Sequence, residues 1–456
     1  MNIRTVVEEQ RKFAADGTAK AIDFRKQQLQ KLKNILKQNE QLLSEALYAD
    51  IKKSQFETYL TELALIYHEL DKAIKYVHKW AKPKAIRTEL VSQPGKSFIL
   101  PEPYGTTLII GAWNYPYQLT LSPLVAAMVA GNTSIIKPSE LPKNTSSALA
   151  KILNSNFDPA YLYVAEGGIE VTQELLDMRF DKIFFTGSTA VGKIVAKAAA
   201  EHLTPITLEL GGKSPCLVFA DADLKISAQR IVWGKFLNAG QTCIAPDYLL
   251  VEEKIYHPFM EELKSQISKI IGSNPMESES YTRIINQKHV QRLKKLIDPQ
   301  KLFSGGQVIE TENYIEPTLL KDVSFADEIM KEEIFGPILP VIPFTNLESV
   351  LCEIKSRPRP LSLYIFGKDS QVQSQILHEV SFGGGCINDV IMHICNSNLP
   401  FGGVGDSGMG NYHGEAGFKT FSHYKSILKR PFWFELPLKY RPYTQLKQKI
   451  IRTIMG

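Results

Sequence analysis

The sequence has few cysteines for its length, and none of them forms a close pair with another. Five occur in 456 residues, namely Cys216, Cys243, Cys352, Cys386 and Cys395. Because their number is odd and no CxxC pair occurs, a disulfide framework or a zinc ribbon is not expected. We therefore expect reduced thiols, no metal site and a cytoplasmic enzyme.

Long apolar runs and long basic runs are also missing. No stretch approaches the roughly 18 apolar residues of a membrane-spanning helix, so we expect none. The first residues, MNIRTVVEEQRKFAADG, lack an apolar segment and carry acidic groups, so we expect no signal peptide. The net charge of +5 is small for this length, which argues against nucleic acid as the main partner.

A chain of this length is too long for one compact core, and its pattern changes near residue 103. The first eighty residues read as helices, and 91–102 as a hairpin that turns at Pro94-Gly95. Ser122-Pro123 is predicted to start a helix that Gly131 ends. Short apolar strands then alternate with helices, at 107–111, 133–137, 161–165, 182–186, 206–210, 215–219, 248–252, 337–344 and 361–367. This alternation predicts an α/β fold with parallel sheet covered on both faces.

The end of the chain is basic. Residues 439–456 carry five basic groups and no acid, with four apolar residues between positions 450 and 455. They predict a short amphipathic helix. Packing on its own domain or a frayed tail is the simpler interpretation, and contact with a membrane surface is the alternative.

Three stretches contain candidate catalytic groups. Glu209 ends an apolar strand before two glycines, where partial desolvation would raise its pKa toward that of a useful base. Cys243 follows a helix among small residues and could be a nucleophile. Asn114 follows a buried strand and could donate to an oxyanion. Each also has an ordinary explanation: Glu209 could be a salt-bridged glutamate, Cys243 a buried thiol and Asn114 a turn residue. Cys216 and Cys352 are better candidates for buried thiols than Cys243.

A glycine-containing turn follows the 182–186 strand. The segment Gly187-Ser188-Thr189-Ala190-Val191-Gly192 runs into a helix, whose free N–H groups favour a phosphate. It is neither GxGxxG nor a nucleotide-hydrolase phosphate loop, so an ordinary turn from strand to helix is the alternative.

Taken together, the motifs are far more specific than any one of them. WNYP, KPSE, FFTGS, LELGGKSP, GQTC, EEIFGP and PFGGVGDSGMG occur in the order and approximate spacing of the aldehyde dehydrogenase superfamily. From about residue 5 to about 430 the chain resembles that superfamily. RIVWGKFLNAGQTCIAPDYLL and GMGNYHGEAGFKTFSH are similar to its class 3, fatty-aldehyde-dehydrogenase-like branch.

The resemblance implies a role for each candidate. Cys243 matches the nucleophile that attacks the aldehyde, and Asn114 with the Cys243 N–H would hold the oxyanion. Glu209 matches the base that activates water, although Glu333 is a second candidate for that role. The expected reaction is oxidation of an aldehyde to a carboxylic acid through a thiohemiacetal and a thioester.

The resemblance also implies where ligands bind. The cofactor is expected to be NAD, with NADP as the alternative, at Lys137, Glu140, Gly187, Ser188, Gly192, Glu333 and Phe335. The apolar substrate channel would involve Tyr115, Trp233, Leu237, Ile394 and Phe401, which suits medium- or long-chain aliphatic or aromatic aldehydes.

The family fold implies a Rossmann-type dinucleotide-binding domain over 1–208 and a catalytic domain over 209–410. Residues 91–102 would belong to a small β bridging element, and 411–456 would supply its remaining strand and the basic tail. In the family this element adds strands to a partner subunit, so we expect a homodimer.

Three other functions fit parts of the pattern. A CoA-acylating dehydrogenase would not need a water-activating carboxylate, and Glu209 argues against it. An inactive structural protein is disfavoured because Cys243, Asn114 and Glu209 are all present. A cofactor-independent thiol esterase is disfavoured by the Glu333–Phe335 pair.

Overall fold

The computed structural model describes residues 2–455. Its α-helices, in chain order, are α1 (Ile3–Asp16), α2 (Ile22–Gln38), α3 (Glu40–Ile51), α4 (Gln55–Thr58), α5 (Ala64–Trp80), α6 (Gln118–Ala130), α7 (Lys143–Asn154), α8 (Ile169–Leu176), α9 (Thr189–Glu201), α10 (Leu224–Phe236), α11 (Tyr256–Ile271), α12 (Gln287–Lys294), α13 (Leu347–Ser356), α14 (Ser370–Glu379), α15 (Gly414–Thr420) and α16 (Gln445–Met455). The strands are β1 (Lys84–Ile86), β2 (Lys96–Pro103), β3 (Thr106–Ile110), β4 (Thr133–Lys137), β5 (Leu162–Val164), β6 (Lys182–Thr186), β7 (Ile206–Glu209), β8 (Pro215–Val218), β9 (Tyr248–Glu252), β10 (Leu302–Ser304), β11 (Val308–Ile309), β12 (Tyr314–Ile315), β13 (Thr318–Leu320), β14 (Ile338–Phe344), β15 (Ser362–Phe366), β16 (Gly384–Ile387), β17 (Gly408–Met409) and β18 (Ser422–Lys429).

The first sheet has the strand order β17-β7-β6-β3-β4-β5. Strands β3 to β7 are parallel, and β17 joins the edge antiparallel to β7. Since β4 lies on one side of β3 and β6 on the other, the chain direction across the sheet reverses at β3. Ligands of open α/β sheets bind beyond the carboxyl ends of the strands at such a point.

The second sheet has the order β10-β13-β14-β9-β8-β15-β16 and is parallel except for β10. A loop of five residues, 210–214, leads from the carboxyl end of β7 to the amino end of β8. The carboxyl edge of the first sheet therefore adjoins the amino edge of the second. The predicted parallel strands are present in both sheets, and the fold class is confirmed.

A third, three-stranded sheet has the order β1-β2-β18. β2 pairs antiparallel with β1 and with the whole of β18. The predicted hairpin of 91–102 differs from this, because residues 90–92 form a 3-10 turn and the strand that precedes the turn is β1. The Gly95 N–H donates to the Ser92 carbonyl at 2.8 Å, so the predicted turn at Pro94-Gly95 is nevertheless present.

Helix α6 begins at Gln118, four residues before the predicted start at Ser122. The reason is a buried carboxylate rather than a local cap. Glu62 Oε2 accepts hydrogen bonds from the backbone N–H groups of Tyr117 (2.8 Å) and Gln118 (3.3 Å). Pro123 then lies inside the helix, and Gly131 ends it in the left-handed conformation as predicted.

Two thiol predictions have different outcomes. Cys216 lies in β8 and is buried, as expected, whereas Cys352 is exposed on α13. The face of α13 that meets the core contains Val350, Leu351 and Ile354. The helical pattern of the sequence did not identify this face.

The basic end of the chain forms α16, as predicted, and no residue of this helix is buried. None of the helices between residues 2 and 455 combines the length and the apolar character needed to span a bilayer.

Candidate active site

The loop after β3 meets the segment that precedes β9. Asn114 is buried, and its side-chain Nδ2 donates to the Gln241 carbonyl at 3.0 Å. The Tyr115 hydroxyl hydrogen-bonds the Thr242 hydroxyl at 2.6 Å. These two contacts bring the predicted oxyanion donor beside the residues that immediately precede Cys243.

Cys243 is half-buried and follows a 3-10 turn, Leu237–Gly240, at the end of α10. Burial raises the pKa of its thiol well above the ordinary value, and the charges of Glu333 and then Glu209 raise it further. Backbone N–H groups of Cys243 and Ile244 oppose the shift by favouring the thiolate. The raising effects are larger, so the thiol, and not the thiolate, is the favoured form before a base removes its proton.

Glu209 is buried at the carboxyl end of β7. Neither carboxyl oxygen has a hydrogen-bond partner, and burial raises the pKa of this side chain well above its ordinary value. The expected shift is therefore present, and the alternative of a salt-bridged glutamate is wrong. A carboxyl group in this state can accept a proton from a water molecule that enters the site.

The side chain of Glu333 lies against Gly211, in the loop between the two sheets. A Cβ atom added to Gly211 would stand 2.0 Å from Glu333 Oε2. Burial and then the charge of Asp247 raise the pKa of Glu333 to about 8, and a hydrogen bond from the Gly212 N–H partly offsets this. Glu333 and Glu209 are thus two carboxyl groups, both with raised pKa, whose charges act on the same thiol.

The backbone around Glu333 is held by charged side chains. Lys213 Nζ donates to the Glu332 carbonyl at 2.9 Å, and Asp247 Oδ1 accepts from the Ile334 N–H at 2.9 Å. Lys213 and Asp247 also form an ion pair of 2.6 Å. Arg292 donates to the Ile334 carbonyl at 2.6 Å. Phe335, two residues after Glu333, has a positive φ of 51°. Its ring packs edge-to-face against Trp113.

The predicted phosphate turn lies at the carboxyl end of β6. Ser188 caps α9, accepting from the Val191 N–H at 3.4 Å, and the first turn of the helix contains no acidic residue. A Cβ atom at Gly187 would stand 2.5 Å from the Phe185 ring, and one at Gly192 would stand 2.6 Å from Leu210. An exposed helix start whose own first turn carries no acid can accept a diphosphate.

Lys137 ends β4, beside the loop that follows β3. Its ammonium group is buried, donates to the Pro138 carbonyl at 2.8 Å and pairs with Glu140 at 3.6 Å. Burial lowers the pKa of Lys137, and the Glu140 carboxylate partly opposes this. The amine and carboxylate are thus available to hydroxyl groups at the edge of the first sheet.

Four of the five predicted substrate residues, all except Tyr115, lie in or against the large apolar core that Cys243 also packs against. Tyr115 and Phe401 are buried, while Trp233, Leu237 and Ile394 are half-buried and pack against the same cluster as Cys243. The thiol therefore packs against the apolar core, and the carboxyl groups of Glu333 and Glu209 also act on it.

Several charged side chains around the site were not identified from the sequence. Lys53 and Glu62 form a fully buried ion pair of 3.0 Å, and Lys53 Nζ lies 4.2 Å from the centroid of the Tyr115 ring. Glu57 accepts from the Asn238 N–H at 2.8 Å. Residues 59–63 form a π-helical turn, a feature frequent at functional sites, but the sequence carried no signal for it. No group of three or more metal-ligating side chains occurs among residues 2–455.

Comparison with known proteins identifies the family. The family model described as the aldehyde dehydrogenase family matches residues 2–427. The chain is 47% identical to a 4,4'-diaponeurosporen-aldehyde dehydrogenase of Staphylococcus aureus, over 93% of each chain. It is 45% identical to a rat (Rattus norvegicus) "aldehyde dehydrogenase, dimeric NADP-preferring", over 94% of each chain.

Solved structures agree. The substrate-bound state of Staphylococcus aureus AldH superimposes with a TM-score of 0.98 at 45% identity, covering 100% of both chains. These relatives include members related to the class 3 branch that the motifs indicated. The chain therefore belongs to the aldehyde dehydrogenase family and is an NAD(P)-dependent oxidoreductase of that family.

Proposed function

We propose that this protein oxidises an apolar aldehyde to the carboxylic acid, with Cys243 as its covalent nucleophile. The observation that carries the proposal is the convergence at one thiol of the Asn114 loop, the buried Glu209 carboxyl group and the half-buried Glu333 carboxyl group. The apolar residues Trp233, Leu237 and Ile394, which pack against the same core as Cys243, support medium- or long-chain aliphatic or aromatic aldehydes as substrates.

In the first step the Cys243 thiol gives its proton to a carboxylate of the site, Glu209 or Glu333, which passes it to solvent; the sulfur bonds to the aldehyde carbon, and the C=O π electrons move to the oxygen to give an oxyanion. The side-chain amide of Asn114 and the Cys243 N–H donate to that oxygen. Loss of a hydride from the same carbon leaves a thioester on Cys243. An oxidised nicotinamide cofactor, when bound, would accept that hydride.

In the second step water hydrolyses the thioester. We assign the base to Glu209, because both of its oxygens lack a partner and burial raises its pKa, which makes its carboxylate form a stronger base. Glu333 is the alternative base. The fixed backbone on both sides of Glu333 suits a positioned acceptor for ribose hydroxyls better than a base that must reach water.

The described residues fit a dinucleotide. The Ser188-capped helix start would hold the diphosphate, and Gly187 and Gly192 let the turn and the helix pack closely against Phe185 and Leu210. Lys137 and Glu140 would meet the adenosine ribose, and Glu333 and Phe335 the nicotinamide ribose and ring. The Glu140 carboxylate disfavours a 2′-phosphate and Lys137 attracts one, so we propose NAD with NADP as the alternative.

The deciding experiment measures NADH and NADPH formation by purified protein with aldehydes of increasing chain length. We expect activity that rises with chain length or with an aromatic group, and a carboxylic acid as the product. No reduced cofactor with any aldehyde would refute the proposal.

Glu209→Gln separates the two bases. This variant should release one equivalent of reduced cofactor and accumulate an acyl group on Cys243, visible by mass spectrometry. Normal turnover by Glu209→Gln would transfer the assignment to Glu333. Release of the acyl group only upon addition of CoA, in the unmodified protein, would instead favour a CoA-acylating dehydrogenase.

The assembly and location are also proposals. We propose a homodimer that uses the β1-β2-β18 sheet, a division into 1–208, 209–410 and 411–456, and a cytoplasmic location, which the unpaired pattern of the cysteines supports. For the tail we propose a weak contact with anionic membrane surfaces, because α16 is basic and exposed and Phe432 and Trp433 are exposed before it. Equal sedimentation with anionic liposomes, with and without residues 438–456, would dismiss that contact.

A further inference from the structure

The side chain of Asn238 lies where the two halves of the candidate site meet. Its Nδ2 donates to the Asn114 carbonyl at 2.8 Å and to the Gln241 carbonyl at 3.2 Å. Asn114 in turn donates from its own Nδ2 to that same Gln241 carbonyl. One buried amide therefore joins the loop that carries the oxyanion donor to the segment that carries Cys243.

The backbone of Asn238 is in an unusual conformation. Its φ of 53° lies in the left-handed region, as does the φ of Ala239. Asparagine tolerates this region better than most residues, and such conformations persist only where surrounding contacts enforce them.

Glu57 supplies the enforcing contact. Its Oε1 accepts from the Asn238 N–H at 2.8 Å, and Glu57 lies on α4, far from Asn238 in the sequence. Burial raises the pKa of Glu57, while the nearby Lys53 ammonium opposes this. Lys53 also pairs with Glu62, whose other oxygen holds the start of α6, the helix that follows Asn114.

We propose that Asn238, held by Glu57, is a positioning residue that sets Asn114 relative to the Cys243 thiol. The proposal rests on the proposed function, in which Asn114 stabilises the oxyanion. Neither Asn238 nor Glu57 needs to touch the substrate. Their effect is to keep the distance between the donor amide and the sulfur constant in both addition steps.

The test is a double-mutant cycle with Asn114→Ala and Asn238→Ala, measured as kcat for reduced-cofactor formation at saturating aldehyde. Loss of an oxyanion donor costs ~10²–10³ in kcat, and a misplacement of ~1 Å costs ~10². Asn238→Ala should therefore lose a similar factor, and the double variant should lose no more than Asn114→Ala alone. Binding of NADH, followed by its fluorescence, should be unchanged.

Asn132→Ala is the matched control. Asn132 is also a buried asparagine whose Nδ2 donates to two backbone carbonyls, those of Ala127 and Phe421, away from Cys243. It should lower the melting temperature without lowering kcat. If Asn238→Ala and Asn114→Ala instead reduce kcat by independent factors that multiply, Asn238 is merely structural and the proposal is wrong.

Variants of Glu57 provide a second test, which can be made even if Asn238→Ala does not fold. Glu57→Gln retains an oxygen that accepts the Asn238 N–H, so it should restore most of the turnover that Glu57→Leu loses. Equal turnover in both Glu57 variants would overturn the proposal. If Asn114→Ala itself turns over normally, the proposed function fails; if only the Asn238 and Glu57 variants do, the positioning role alone fails.

Discussion

Gly211→Ala displaces one carboxylate of the candidate site while leaving the backbone able to keep its shape. Gly211 does not have a positive φ, so alanine is compatible with its conformation. The new Cβ atom would stand 2.0 Å from Glu333 Oε2, 2.9 Å from its Cδ and 3.2 Å from its Oε1. Because the clash involves the end of a side chain, Glu333 is the group that must move.

The size of the displacement follows from those distances. Ordinary van der Waals contact begins at 3.4 Å, so Oε2 must retreat by about 1.4 Å. The backbone of Glu333 cannot follow, because Lys213, Asp247 and Arg292 hold the peptide groups around it. A misplacement of ~1 Å in a positioned group can cost ~10²-fold in rate.

The assay is steady-state kinetics with varied NAD at saturating aldehyde, together with a thermal melt. If Glu333 holds the nicotinamide ribose, Gly211→Ala should lower kcat/KM for NAD by ~10² and leave the melting temperature nearly unchanged. Gly168→Ala is the matched control, since its Cβ would stand 3.1 Å from Oε2 of the exposed Glu170. Wild-type kcat/KM in Gly211→Ala would refute the role given to Glu333.

Three further outcomes are expected. Above about pH 8 the charged Glu333 raises the pKa of the Cys243 thiol, and Glu333→Gln removes that charge. Iodoacetamide should therefore alkylate Cys243 faster in Glu333→Gln than in the wild type above this pH. An unchanged dependence of the alkylation rate on pH would contradict this. Lys213→Met should raise KM for NAD more than it lowers kcat, measured by initial rates, because the Glu332 carbonyl and Asp247 lose their partner; an effect on kcat alone would count against it. Lys53→Met should lower the free energy of unfolding by ~3–5 kcal/mol in urea titrations, and adding Glu62→Leu should recover part of the loss; a silent Lys53→Met would show that the pair is not needed.

The strands were predictable because burial of parallel strands requires local apolar runs. KIFFT and TSIIK match β6 and β4 residue for residue, and YLLVE matches β9. The order of strands in each sheet is a non-local property, and no local pattern in the sequence predicted it. The glycine that ends α6 was also readable, since a left-handed residue at a helix end favours glycine.

The wrong predictions share a cause: a contact with a residue distant in the sequence takes the place of the local contact that the sequence pattern suggested. Glu62, which lies 55 residues before Tyr117, accepts the hydrogen bond of the backbone N–H at the start of α6. The prediction that the helix starts at Ser122 was therefore wrong. β1 pairs with β2 across a longer turn than the predicted hairpin allowed. The pKa of the Cys243 thiol is raised first by burial and then by the charge of Glu333, whose position near the thiol no local pattern reveals.

Glu209 and Glu333 illustrate how one residue type can be given two tasks by its surroundings. Both are largely removed from water, and burial raises the pKa of both. Glu333 also has a backbone donor at Gly212, cations nearby and a clamped chain, whereas Glu209 has no hydrogen-bond partner at either oxygen. A carboxylate that protein donors and cations hold in place is suited to bind hydroxyl groups. A carboxylate without a hydrogen-bond partner is suited to take a proton from water. The difference in partners, rather than the difference in pKa, therefore supports Glu209 as the base.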